Sequence, residues 1–122
     1  MDLLDAVIRL KRFEVEERRR KVAEIMATIS DFNYMAGELN RQIAVEQDRA
    51  GVFDVDYYAY PTFAKEAIQR RANLAASVAG LESQLAGACR ELDEACEELK
   101  KIELLGERDT VRPMPDGGEA AA

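Results

Sequence analysis

The chain contains no histidine and no tryptophan, only two cysteines and three prolines, and no long unbroken apolar run. Each shortage excludes something. Without histidine the commonest general base and the commonest metal ligand are both gone. Cys89 and Cys96, a heptad apart, match no zinc spacing. Two helical turns would also hold them roughly 10 Å apart, beyond the reach of a disulfide. They read as free thiols of a reducing compartment and as small packing residues. With no stretch of about 18 apolar residues, no membrane-crossing segment is expected. Asp2 and Asp5, where a secretory leader would carry basic residues, argue against one. Gly37, Gly80 and Gly87 are isolated, so no phosphate-cradling loop is present. Asp54 and Asp56 resemble the start of a calcium loop but lack its glycine and its closing glutamate, and read as a turn or helix cap. Glu94, Glu97 and Glu98 read as a solvated acidic face. The expectation is therefore a protein without catalysis, metal or cofactor. Its net charge of −7 and pI of about 4.7 also disfavour nucleic-acid binding, including through the Arg18–Lys21 run.

What the chain does have is periodicity. Ile8, Val15, Val22, Ile29, Ala36, Ile43 and Ala50 return every seventh residue, with Ile25, Phe32 and Leu39 three residues on. Such 3-4 alternation is the seam of a coiled-coil helix, because seven residues make two supercoiled turns. The second half repeats it with Leu74, Val78, Leu81, Leu85, Ala88, Leu92, Ala95, Leu99 and Ile102. The fold class is all-α: a long antiparallel two-helix coiled-coil hairpin, one domain over residues 1–106, with a disordered tail over 107–122. Charged residues make up 34% of the 122 residues, a composition of long helices that bury a line of side chains rather than a pocket.

Helix 1 is expected over about 2–50, with Asp2 as N-cap and Gly51 as the left-handed terminator. A bend over 51–62 carries Pro61, and helix 2 follows over about 62–105, ending at Gly106. Thr62 can cap it, but Tyr57 and Tyr60 fall in phase with the second seam, so a start one turn earlier with Asp56 as cap stays open. Antiparallel pairing is favoured by charge. It sets Arg9, Lys11, Arg12 and Arg18–Lys21 against Glu91, Asp93, Glu94, Glu97, Glu98 and Glu103, and Glu46 and Asp48 against Lys65, Arg70 and Arg71.

Two places hold more apolar surface than one partner helix can cover. Lys11 and Arg18 occupy seam positions, while Leu3, Val7, Leu10 and Phe13 lie beside the seam and Leu104 and Leu105 fall at the same end. This end is either a wider local core or a docking surface. At the bend, Phe53, Tyr57, Tyr58, Tyr60 and Phe63 gather most of the chain's aromatics. They are either a plug closing the coil or an anchor patch for a partner, with Arg70, Arg71 and Leu74 nearby.

These segments resemble the FliJ family, the small coiled-coil component of the bacterial flagellar type III export apparatus. The likeness covers roughly Leu4 to Asp109. It rests on IRLKRFEVEERRRKVAEI (Ile8–Ile25), the tyrosines before helix 2, AKEAIQRRANL (Ala64–Leu74) and LDEACEELKKIE (Leu92–Glu103). The resemblance implies a cytoplasmic, non-enzymatic hairpin similar to the central stalk of rotary ATPases. Its terminal end would bind the export ATPase ring, and it would contact the cytoplasmic domain of the export gate and handle export chaperones. It implies neither nucleic-acid binding nor membrane insertion. Carried over, Leu3, Val7, Arg9, Leu10, Arg12, Phe13, Leu104 and Leu105 would form the ATPase end. Phe53, Tyr57, Tyr58, Tyr60, Phe63, Arg70, Arg71 and Leu74 would form a second contact at the bend. The chain is short for the family and its Pro61 connection comes early. An injectisome counterpart or an unrelated coiled-coil adaptor is the alternative.

Overall fold

A computed structural model describes residues 2–111 of the protein. It is an all-α hairpin of two long helices packed against each other, α1 (Leu3–Ala50) and α2 (Thr62–Val111). The helix ends follow from local chemistry. Asp2 Oδ1 accepts the Asp5 amide at 2.9 Å, a side-chain N-cap. Gly51 adopts φ 69° and donates its amide to the Gln47 carbonyl, the left-handed C-terminal stop that only glycine adopts without strain. In the bend, Asp54 Oδ1 accepts the Asp56 amide and the Asp54 carbonyl accepts the Tyr57 amide. Asp54 thus builds a turn, and Asp56 caps no helix. The open boundary falls after the tyrosines. Pro61, which has no amide to satisfy, supplies the carbonyl that accepts the first helical bond from Lys65, so Thr62 is the first helical residue and not the cap.

The far end of α2 differs from expectation. The helix runs through Gly106 to Val111, where the spacing predicts a stop at 105 and a disordered tail from 107. Leu92, Leu99 and Gly106 fall every seventh residue, so this glycine lies on the seam and does not terminate the helix. A Cβ there would come within 3.1 Å of Ile8 Cδ1, and the missing side chain is what lets α1 approach. The remainder of the expected tail, 112–122, lies outside the described residues.

The chain forms two compact units. The terminal unit combines the start of α1 with α2 from Gly87 onward, and the bend unit spans Ala23–Ala86. In each, contacts pair rising numbers on α1 with falling numbers on α2 or the bend just before it, the antiparallel arrangement. Lys11 meets Glu98 and Arg18 meets Glu91 in the first unit; Asn40 meets Arg71 and Gln47 meets Tyr60 in the second.

The bend unit packs Leu39, Ile43 and Ala67 into a core extended by Ile68 and Leu74, with Ile25 and Ala64 also buried. The terminal unit buries Val15, Ala88 and Ala95. Leu81, Leu85, Leu92, Leu99 and Ile102 are half-buried, as expected of a seam shared by only two helices. Among the described residues no large side chain is completely shielded.

Candidate functional site

The terminal unit carries its charges in two ways. Three ion pairs cross between helices. Lys11 Nζ donates to Glu98 Oε1 at 2.9 Å, Arg12 Nε and Nη2 both donate to Glu103 Oε2, and Arg18 lies 3.8 Å from Glu91. Arg19 and Arg20 turn back to Glu16 and Glu17 on their own helix, so the expected basic cluster is only partly engaged across the seam. Donation to Glu98 raises the Lys11 pKa, and the same bond lowers that of Glu98. Lys11 and Arg18 thus occupy seam positions without being stranded, since each reaches out to a carboxylate on the rim.

The surplus apolar surface predicted at this end is real and faces outward. Leu3 is 81% exposed, Leu10 64% and Phe13 62%, and Leu104 and Leu105 are about half exposed. Leu3, Ala6, Leu10 and Phe13 recur at 3-4-3 spacing, so α1 carries a second stripe turned away from the one that packs. Val7 and Ile8 are half-buried, with Ile8 on the packing seam beside Gly106. Arg9 is exposed, and Arg12, though exposed, is held by Glu103.

The bend aromatics do not act as one cluster. Tyr60 is 6% exposed, and its hydroxyl accepts a hydrogen bond from Gln47 Nε2 at 2.8 Å. It is the plug, and it is withdrawn from any docking surface. Phe53, Tyr57, Tyr58 and Phe63 are exposed, with the Tyr57 and Tyr58 rings 4.8 Å apart and tilted by 43°. Arg70 is exposed, Arg71 is half-buried and donates to Asn40 at 2.7 Å, and Leu74 packs on the core while part of it lines an open groove. The expected pairing of Glu46 and Asp48 with Lys65, Arg70 and Arg71 does not form. Among the described residues no ion pair crosses between the helices of the bend unit; Glu46 pairs with Arg49 and Glu38 with Arg41, one turn along the same helix. A partner one turn away needs less side-chain ordering than one across the seam.

A trough in the bend unit was not foreseen. Two open grooves of about 430 and 300 Å³ adjoin along α1, sharing Glu38 and Gln42. Val45 and Phe63 line one and Tyr34, Met35 and Leu74 the other. The signal was present as the 3-4-3 spacing Met35, Glu38, Gln42, Val45, hidden because its middle members are polar.

Among the described residues no group of side chains could hold a metal ion, and no helix is long and apolar enough to cross a membrane. The chain matches no family model, no curated protein and no solved structure. Exposed apolar side chains gather in the terminal unit, along the trough and at the tip of the bend, and such open surfaces do not enclose a small molecule.

Proposed function

We propose that the protein is a non-enzymatic stalk of the FliJ kind in a bacterial flagellar type III export apparatus. Cytoplasmic, it binds the export ATPase ring through its terminal unit and links it to the cytoplasmic domain of the export gate and to export chaperones. What supports this most is the outward stripe Leu3, Ala6, Leu10, Phe13 with Leu104 and Leu105 near the helix ends, beside exposed Arg9. Exposed apolar residues at heptad spacing offer a second helix-reading edge on a helix whose other edge is already used. A ring that holds a stalk while changing state needs a grip spread over several modest contacts, because each conformation must bind it to a similar degree. The electrostatics bear on how to test it. Reversing Arg12 would set a carboxylate against Glu103 and loosen the hairpin itself, so Arg12 variants confound binding with folding.

The experiment is co-purification of the chain with the flagellar export ATPase of the same genome, comparing wild type with Leu10→Asp and Phe13→Asp. Both positions are exposed, so helicity by circular dichroism should persist while ring binding falls by roughly tenfold or more. Undiminished binding by both variants would refute the assignment of the terminal stripe. Absence of binding by the wild type would refute the export-stalk function.

A further inference from the structure

We propose that the trough of the bend unit is a homodimer interface, closed by the same trough of a second copy around a two-fold axis beside Asn40. This stands on the bend unit alone and does not depend on the export function. Tyr34 is 67% exposed and Met35, Val45 and Phe63 about half, on one flank where their own hairpin leaves them uncovered. The stripe Met35, Glu38, Gln42, Val45 is symmetric about position 40. When two α1 helices cross antiparallel there, Met35 of one copy meets Val45 of the other, and Glu38 meets Gln42. Apolar thus faces apolar, and a carboxylate faces an amide that can donate to it; no acid meets an acid. An isologous contact requires this self-complementarity of residue types.

The rims agree. Phe63 shares its groove with Glu46, the residue that the same symmetry sets level with Tyr34 of the second copy. One aromatic pair therefore closes each end. Arg71 is bonded to Asn40, so its neighbour Arg70 lies level with the axis. Arg70 is exposed, lines the trough and makes no ion pair with a described residue. Level with the axis it faces its own symmetry mate, and Glu38 of each copy, two positions off the axis, is the nearest α1 carboxylate to offset the two charges.

The area is sufficient for a second copy. At roughly 150–250 Å² for a large apolar side chain, the exposed fractions amount to about 400 Å² of apolar surface on each copy. Apolar atoms make up about 60% of an interface, so both copies together would bury about 1,300 Å². That falls within the range of about 1,200–2,000 Å² for stable pairs.

Sedimentation velocity of the full chain over roughly 1–100 µM tests this. The wild type is expected to shift from monomer to dimer. Met35→Lys alone and Val45→Glu alone should each weaken dimerisation by roughly tenfold or more. The double variant M35K/V45E sets an ammonium of one copy against a carboxylate of the other and should dimerise more tightly than either single variant. Lysine and glutamate are good helix formers at exposed positions, so circular dichroism separates lost dimerisation from lost folding. A wild type that stays monomeric over the whole range, including one that instead takes up a foreign helix, would overturn the proposal. So would a dimer indifferent to both single substitutions, or a double variant no better than the singles.

Discussion

The two units solve the same packing problem with different chemistry. The bend unit is held by apolar side chains, Ile25, Leu39, Ile43 and the alanines opposite, and its covalent end is closed by the Tyr60–Gln47 bond. The terminal unit has Lys11 and Arg18 on its seam and small residues such as Ala88, Ala95 and Gly106 on the facing helix, joined by three crossing ion pairs. Exposed ion pairs add little net stability, whereas each buried aliphatic adds about 1.5–3 kcal/mol. Resistance to opening should therefore fall from the bend toward the termini. The unit with the weaker hold is also the one that exposes Leu3, Leu10 and Phe13, so docking there would supply the apolar cover that the seam lacks.

The largest effect should come from the bend core. Ile43→Ala removes a buried side chain packed on Leu39 and Ala67 and should cost about 3 kcal/mol in chemical denaturation. Val15→Ala, the corresponding loss in the terminal unit, should cost about 1–2 kcal/mol. A larger loss at Val15 than at Ile43 would reverse the ranking of the units. Tyr60→Phe tests the closure separately. Deleting the hydroxyl leaves Gln47 without its acceptor and should cost about 1 kcal/mol.

Smaller effects sharpen the contrast. The Glu98 pKa is lowered in the folded chain, so its bond with Lys11 contributes above the ordinary carboxylate range and is lost as pH falls through the depressed value. The raised Lys11 pKa carries the bond in the alkaline direction, until pH rises through that value. Acidification below the ordinary carboxylate range should therefore loosen the terminal unit slightly ahead of the bend unit, read by amide chemical shifts at each end. Lys11→Leu should narrow that gap, and an unchanged gap would remove the charged seam as its cause. Gly80→Ala has open space around it and should stabilise by about 0.5–1 kcal/mol. Gly51→Ala should destabilise by about 1 kcal/mol through its left-handed backbone.

Much of this was legible in the sequence, because a seam is a local periodic signal. Ile25, Leu39, Ile43, Ala88 and Ala95 all follow from 3-4 spacing, and Asp2 and Gly51 from capping chemistry. Gly106 was misread because a glycine near a helix end carries two meanings, terminator or close-contact residue, and the seven-residue step from Leu99 decides between them. Charge pairing was legible where Lys11, Arg12 and Arg18 have acids directly opposite. It failed at Glu46 and Asp48; Glu46 instead pairs with Arg49 one turn along its own helix. Tyr60 could not be told from Tyr57 and Tyr58 by composition, since only the backbone turn at Asp54 decides which ring points inward. The trough went unseen because its stripe is half polar, and hydrophobicity alone does not register a symmetric pattern.

The most direct test of the difference between the units is residue-resolved amide hydrogen exchange at low and high salt. Amides of α1 near Lys11–Arg18 and of α2 near Glu91–Glu103 should exchange faster than those around Leu39–Ile43 and Ala64–Leu74, and the gap should widen as salt screens the ion pairs. Uniform protection along both helices, unchanged by salt, would contradict a charge-held terminal unit joined to an apolar-held bend.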